Sequence, residues 1–310
     1  MRLLSPPLIT VLLTVLSSTR TEPQGFPRRP DQELRTAIER RIAAQPGAEV
    51  ALWFEDLASG QTLGVADTLS FHAASTMKVP VMFELFRRAD EGTLDLDERI
   101  PLANRFASIV DGSPYALDPI DDTDDALYDR IGAHISYREL NERMIVRSSN
   151  LATNVLIDQL DPTRVTAFAR SLGGEGVLVR RGVEDGVAFR AGHNNVTTAR
   201  GLGKLLAALE RGQVASPWAT QSMLGTLLRQ EFAKEIPAGL PPGTRVAHKT
   251  GWITATLHDA AIVYPPGRAP FVLVILTRAI PERADAQRLM ADLARIVWES
   301  YLPLTPPRAP

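Results

Sequence analysis

Ser75 and Lys78 stand three residues apart in Phe71-His72-Ala73-Ala74-Ser75-Thr76-Met77-Lys78-Val79-Pro80-Val81-Met82-Phe83, a run that is otherwise almost wholly apolar. On a helix, residues i and i+3 share a face, so the hydroxyl and the amine can meet. Pro80 lacks an N–H and clashes with the carbonyl four residues back, that of Thr76. A regular helix therefore should not run far upstream, and Ser75 falls in its first turn or at its cap. An ammonium buried there must be paired or give up its proton, and a neutral lysine beside a serine makes an activated nucleophile. The same four residues also read as an N-cap serine followed by a lysine whose head reaches water, because so short a motif recurs by chance.

Two more polar clusters lie downstream. Ser148-Ser149-Asn150 interrupts a helical pattern, and Lys249-Thr250-Gly251 sits in a run with strand character. The elements that must carry all three follow from periodicity and turn signals. Asp31 opens a helix to about Gln45 with Leu34, Ile38 and Ile42 on one stripe, and residues 49–55 and 61–66 flank Ala58-Ser59-Gly60 as a hairpin. The Ser75 helix ends near Glu91-Gly92. Ser136 opens another, with Glu139 completing a capping box and Leu140, Met144 and Ile145 as its stripe; after the Ser-Ser-Asn break, Leu151, Val155, Leu156 and Leu160 resume the pattern. Residues 172–191 are Gly-rich and charged and read as a long loop, which in a compact domain tends to be functional. A helix over residues 198–211 follows. Residues 244–254, 257–264 and 271–278 read as three strands, with Pro265-Pro266-Gly267 as a turn, and Pro281 opens a last helix to about Tyr301. The Pro-rich tail beyond it is expected to be disordered.

Strands at both ends of the chain with helices between imply an α+β fold: one antiparallel sheet assembled from both termini, flanked by terminal helices, with an all-α domain inserted. Residues 23–72 and 216–310 are assigned to the sheet domain and residues 73–215 to the helical one. Between residues 104 and 130 lie Asp111, Asp118, Asp121, Asp122, Asp124, Asp125 and Asp129. Without a correctly placed EF-hand glycine and closing glutamate this reads as a solvated acidic loop rather than a calcium site, with Tyr115 and Tyr128 in position to reach a substrate cleft.

Composition narrows the chemistry. The 310 residues are 45% hydrophobic, enough for a real core, and the net charge of −2 with no basic cluster argues against nucleic acid. There are no cysteines, which excludes disulfides, thiol catalysis, thiolate zinc sites and a lipidated N-terminal cysteine. The five histidines are scattered without a His-Glu-x-x-His pair, so neither a metal nor a cofactor is expected. Arg2, the apolar run 8–16 and Ser17-Ser18-Thr19 read as a secretory signal within residues 1–22, too short to span a bilayer comfortably. The cleavage end lacks a clean small-x-small alanine pattern, so retention as an anchor stays open; a cleaved, periplasmic or secreted protein without stable membrane insertion is the expectation.

The ordered set Ser75-Thr76-Met77-Lys78, Ser148-Ser149-Asn150 and Lys249-Thr250-Gly251 resembles the active-site serine penicillin-recognising enzymes, specifically the class A β-lactamases, over about residues 31–302. The resemblance implies a β-lactamase/transpeptidase-like fold and a monomeric serine β-lactamase that hydrolyses the lactam amide of a small-molecule substrate through an acyl-enzyme. In that scheme Ser75 attacks the lactam carbonyl and Lys78 takes or relays its proton. Ser148 passes a proton to the departing nitrogen, and Asn150 holds Lys78 and meets the substrate side-chain amide. Lys249 and Thr250 meet the substrate carboxylate, although simple alternation puts them on opposite strand faces, and Gly251 permits a close backbone approach. The N–H groups of Ser75 and Trp252 form the oxyanion hole. Deacylation in the family needs a loop glutamate; Glu184 is assigned, with Glu175 as rival. Some positions depart from the family pattern. Ser149 replaces an aspartate, Asp185 a proline and Ala188 an asparagine; Asn194 lies where an aspartate pairs with the loop arginine, Arg181; and no arginine lies in residues 257–264.

His72, His248 and His258 invite a Ser-His reading, but with no Gly-x-Ser-x-Gly elbow they are expected to be packed, hydrogen-bonded histidines. Trp252 reads equally as a strand aromatic or as a side chain narrowing the cleft entrance. The alternatives to a lactamase are a D-Ala-D-Ala peptidase or other serine acyl hydrolase on the same machinery, and a non-catalytic β-lactam sensor. A sensor normally carries membrane-spanning segments or a fused signalling domain, for which the sequence gives no sign.

Overall fold

The computed structural model describes residues 31–301; the signal-like run at 8–16 and the Pro-rich tail lie outside them. Helix α1 (Asp31–Ala43) leads into β1 (Glu49–Asp56) and β2 (Thr62–Val65), a hairpin whose corner is held by Asp56 Oδ1 accepting from Ala58 N at 2.9 Å. β3 (Phe71–His72) and a 3-10 turn (Ala74–Met77) precede α2 (Lys78–Asp90). Next come β4 (Arg99–Pro101), β5 (Phe106–Ala107), β6 (Pro114–Tyr115) and β7 (His134–Ser136), then α3 (Tyr137–Val146), α4 (Asn150–Leu160), α5 (Pro162–Ser171) and a short α6 (Gly186–Arg190). β8 (Val196–Thr197), α7 (Ala199–Glu210) and α8 (Pro217–Leu227) complete the middle of the chain. The end is β9 (Arg245–Ile253), β10 (Thr256–Tyr264), β11 (Phe271–Arg278) and α9 (Arg283–Tyr301).

The main sheet is antiparallel in the order β2-β1-β11-β10-β9, so both ends of the chain build it. Strand periodicity of two sorts its side chains cleanly. Val50, Leu52, Phe54, Leu273 and Ile275 face one apolar cluster with Leu289, Leu293 and Val297 of α9. Ala51, Trp53, Val272, Val274 and Leu276 face the other, with Leu202 and Leu206 of α7 and the remaining helices. β1 and β11 are therefore buried on both faces, which accounts for their nearly continuous apolar runs. Helix α2 is the hub: every residue from Lys78 to Phe86 is buried, as expected of a helix surrounded by others. Among the described residues no helix is long and apolar enough to cross a membrane.

Several local expectations need correction. α8, for which no element was expected, is capped by Ser216, whose Oγ accepts from Ala219 N, and has Pro217 in its first turn; it packs on α2, α3 and β9. The capping box of α3 is half made. Ser136 Oγ accepts from Glu139 N at 3.2 Å, but the Glu139 carboxylate is held by Arg130 and Arg143 instead of returning to Ser136. The 104–130 segment is not simply a solvated acidic loop. Asp122 and Asp124 are buried, and Asp124 pairs with Arg143 at 2.8 Å and Arg147 at 3.1 Å.

Candidate active site

Pro80 falls in the first turn of α2, where its missing N–H costs no helix bond, and the chain upstream tightens into the 3-10 turn that carries Ser75. Ala74, just before the serine, is forced into the left-handed region at φ +45°. His72 Nδ1 accepts from Ala74 N at 3.1 Å and so acts as an acceptor that fixes the turn. Burial, helped by the Arg181 charge, pushes the His72 pKa down to about 4, so the ring stays neutral. Gly251 lies directly on the turn: a Cβ at that position would sit 2.6 Å from Ser75 N and 2.9 Å from Thr76 N. This close approach brings β9, one residue short of Trp252, against the Ser75 amide.

Lys78 is wholly buried, and its Nζ donates to Ser148 O (2.6 Å), Asn150 Oδ1 (2.9 Å), Ser148 Oγ (3.3 Å) and Ser149 O (3.4 Å). Among the described residues the Ser75 hydroxyl makes no hydrogen bond; the lysine is oriented by the second cluster rather than by the serine. Desolvation drives its pKa down to about 7, against the opposing pull of Asp122 and then Glu184. Ser148 sits at φ +61°, a strained turn that aims its Oγ between two amines, Lys78 Nζ at 3.3 Å and Lys249 Nζ at 3.0 Å. Lys249 is also fully buried and donates to Thr250 O at 2.8 Å; desolvation first, and then the Lys78 charge, hold it well below the usual lysine range.

The Ser148–Asn150 turn is the N-terminus of α4. Ser149, where the family usually has an aspartate, is its N-cap, accepting from Ala152 N at 3.2 Å. The carboxylate comes instead from Asp122, which accepts from Asn150 N at 2.9 Å, Leu151 N at 2.9 Å and Tyr128 OH at 3.0 Å. Tyr128 is thus occupied with Asp122 rather than presented free to a cleft.

Glu184 lies across from this turn, its Oε1 accepting from Asn150 Nδ2 at 2.7 Å, and stands at φ +60°. Although the residue is exposed, desolvation of its carboxylate dominates and raises its pKa; the Asn150 bond lowers it, Asp122 and Asp121 raise it further, and Lys78 opposes them. The rival, Glu175, is exposed and contributes only a backbone carbonyl, to Thr198 Oγ1. The loop holding Glu184 is clamped at both ends. Asn154 of α4 accepts from Val183 N at 2.6 Å and donates to Val183 O at 3.0 Å, and the Gly182 position leaves no room for a Cβ against its amide. Asp185, in the family's proline position, caps α6 through Ala188 N at 2.9 Å and accepts from Ile109 N at 3.0 Å. Arg181 donates to His193 O, Gly182 O and Asn194 Oδ1 and pairs with no carboxylate among the described residues; Asn195 accepts from Arg180 N and donates to Arg181 O. Ala188 is fully buried.

The remaining expected residues divide. Ala247 faces the helical cluster and Val246 the α9 cluster, so alternation puts Lys249 and Gly251 on the helical face and Thr250 on the other. Thr250 Oγ1 is buried and, among the described residues, has no hydrogen-bond partner. The Trp252 ring packs against Phe232 at 5.0 Å and under Arg283 at 3.9 Å, a strand aromatic with a cation on its face. His248 bonds Asp259 at 3.0 Å, and His258 lies between the carbonyls of Leu257 and His72, so neither reaches Ser75. Sequence reading missed Asp122 and Asn154. Nothing local distinguishes Asp122 from its acidic neighbours, and Asn154 reads as a polar residue on a helix.

Nearly the whole described chain is similar to known proteins. The sequence model described as the Beta-lactamase enzyme family matches residues 33–301. A β-lactamase of Streptomyces albus G is 29% identical over 273 residues, covering 84% of each chain. An ancestral class A β-lactamase structure superposes with a TM-score of 0.72 at 27% identity, covering 87% of this chain and 99% of that one. A structure of PBP-A gives 0.76 at 26% identity, covering 89% and 98%. With the serine turn packed on Gly251 of β9, the Ser148 hydroxyl shared by Lys78 and Lys249, and the loop glutamate bonded to Asn150, this chain belongs to the β-lactamase enzyme family and is a class A β-lactam hydrolase.

Proposed function

We propose that the reaction runs through an acyl-enzyme on Ser75. The observation that carries this reading is the pair of buried amines converging on Ser148 Oγ, at 3.3 Å from Lys78 and 3.0 Å from Lys249, beside the Ser75 turn. Ser75 Oγ attacks the lactam carbonyl carbon while neutral Lys78 takes its proton. The oxyanion that develops is met by the N–H groups of Ser75 and Trp252. The proton passes through Ser148 to the lactam nitrogen as the C–N bond breaks. Lys249 supplies the cation for the substrate carboxylate. Asn150 links the two half-reactions, since it bonds both Lys78 and Glu184. Glu184 then takes a proton from a water that attacks the ester carbonyl carbon, and a proton is returned to Ser75 Oγ as its bond to that carbon breaks, which frees Ser75 and resets the base.

Ser75→Ala abolishes covalent labelling by a penicillin, and Glu184→Ala accumulates the acyl-enzyme in intact mass spectra; persistent labelling in the first or undiminished nitrocefin turnover in the second refutes the assignment. A D-Ala-D-Ala peptidase is the second reading, favoured by the likeness to PBP-A and by buried Ala188, which offers no amide to a hydrolytic water. Nitrocefin hydrolysis measured against D-alanine release from a peptidoglycan-like peptide separates the two. Export to the periplasm or medium is supported by the sequence of residues 1–22 alone.

A further inference from the structure

Asp122 makes more contacts with the second cluster than any capping role requires. Its carboxylate accepts from Asn150 N at both oxygens (3.0 and 2.9 Å), Leu151 N (2.9 Å), Tyr128 OH (3.0 Å), Ser149 Oγ (3.5 Å) and Asp124 N (3.1 Å). Asp122 and the Ser149 hydroxyl together satisfy the first three N–H groups of α4. The segment that delivers it is itself stapled to the same turn: Asp124 pairs with Arg143 and Arg147, and Thr123 Oγ1 donates to Arg147 O at 2.5 Å. Ser148, immediately before this helix start, is the strained residue whose carbonyl and hydroxyl orient Lys78.

We propose that Asp122 is a positioning residue for acylation: supplied from the loop after β6, its carboxylate holds Ser148 and Asn150 in the geometry that orients Lys78, standing in for the acidic side chain that position 149 lacks. This rests on the Ser75–Lys78 reading above. The charge has a second consequence. Lys78 faces Asp122 from that loop, Glu184 from the loop before α6, and Lys249 from β9; its other neighbours are the uncharged oxygens of Ser148, Ser149 and Asn150. Asp122 is the largest influence keeping the proton on Lys78, so removing its charge makes the amine easier to deprotonate, while loosening the turn makes it less well aimed.

The test is the acylation rate with a fluorescent penicillin as a function of pH. Asp122→Asn lowers the plateau rate by about 10- to 100-fold, the scale of a misplaced catalytic group. It also moves the acid limb to lower pH, and Ser149→Asp added to that variant restores both. A helix cap that served stability alone would lower Tm and, through the lost charge, move the limb, but leave the plateau of the folded protein at the wild-type rate; that result overturns the proposal. Should Asp122→Asn not fold, Tyr128→Phe, which removes one bond to the carboxylate, is expected to slow acylation about fivefold in a protein that still folds; a wild-type rate there overturns it equally. Wild-type protein that takes no label at Ser75 refutes the parent reading instead, so the two failures are distinguishable.

Discussion

The depressed pKa of Lys78 makes the pH dependence of acylation the sharpest check on the mechanism. A lysine at its ordinary value of 10.5 is neutral in only about three molecules in ten thousand at pH 7, whereas at about 7 half the population is neutral. Burial therefore raises the concentration of usable base more than about a thousandfold, a cost to the folded state of about 5 kcal/mol by the same arithmetic. The sign is fixed: the base must be neutral, so the acylation rate climbs about tenfold per pH unit below 7 and levels off above it. The native state also binds fewer protons than the unfolded chain between about pH 7 and 10.5, so this group's contribution to stability grows with pH across that window. The assay is stopped-flow acylation from pH 5 to 9, in wild type and in Glu184→Gln. Because the Glu184 charge helps keep Lys78 protonated, Glu184→Gln is expected to retain the limb and move it to lower pH. An acid limb that vanishes in Glu184→Gln would show that the glutamate, not the lysine, gates acylation, and would refute the reasoning.

Other perturbations probe the scaffold. Gly251→Ala places a methyl 2.6 Å from the Ser75 amide, with backbone as the obstacle, so a loss of about 1–3 kcal/mol and a collapse of acylation are expected by denaturant titration and penicillin labelling. Asn154→Ala strips the two bonds clamping Val183 and is expected to cost about 1–3 kcal/mol while slowing deacylation far more than labelling, read by intact mass over time. For export, the mature protein is expected to begin downstream of the apolar run 8–16, which N-terminal sequencing checks.

Local patterns carried much of the architecture. The strands expected over 244–254, 257–264 and 271–278 are observed as β9, β10 and β11 within a residue or two, because alternation and a Pro-Pro-Gly turn are properties of short windows. Ser136 caps α3 for the same reason. α8 was legible in principle, since Ser216-Pro217 is a helix start signal. The paired strands of two residues each, β3 with β8 and β5 with β6, were not, because two residues have no period.

By itself the sequence determined the order of the reacting groups: Ser75 and Lys78 across a helix start, Ser148 and Asn150 at the next break, Lys249 on a strand, and a family whose chemistry uses all of them. The tertiary structure alone decided how they meet. It turned Lys78 toward Ser148 and Asn150 rather than Ser75, brought Glu184 and not Glu175 to Asn150, and drew Asp122 out of a run of aspartates to hold the second cluster. Those outcomes depend on contacts between residues 28 to 72 apart in the chain, on burial that shifts Lys78 to about 7, and on backbone strain at Ser148. No window of sequence contains them, because desolvation and close approach are properties of the packed chain.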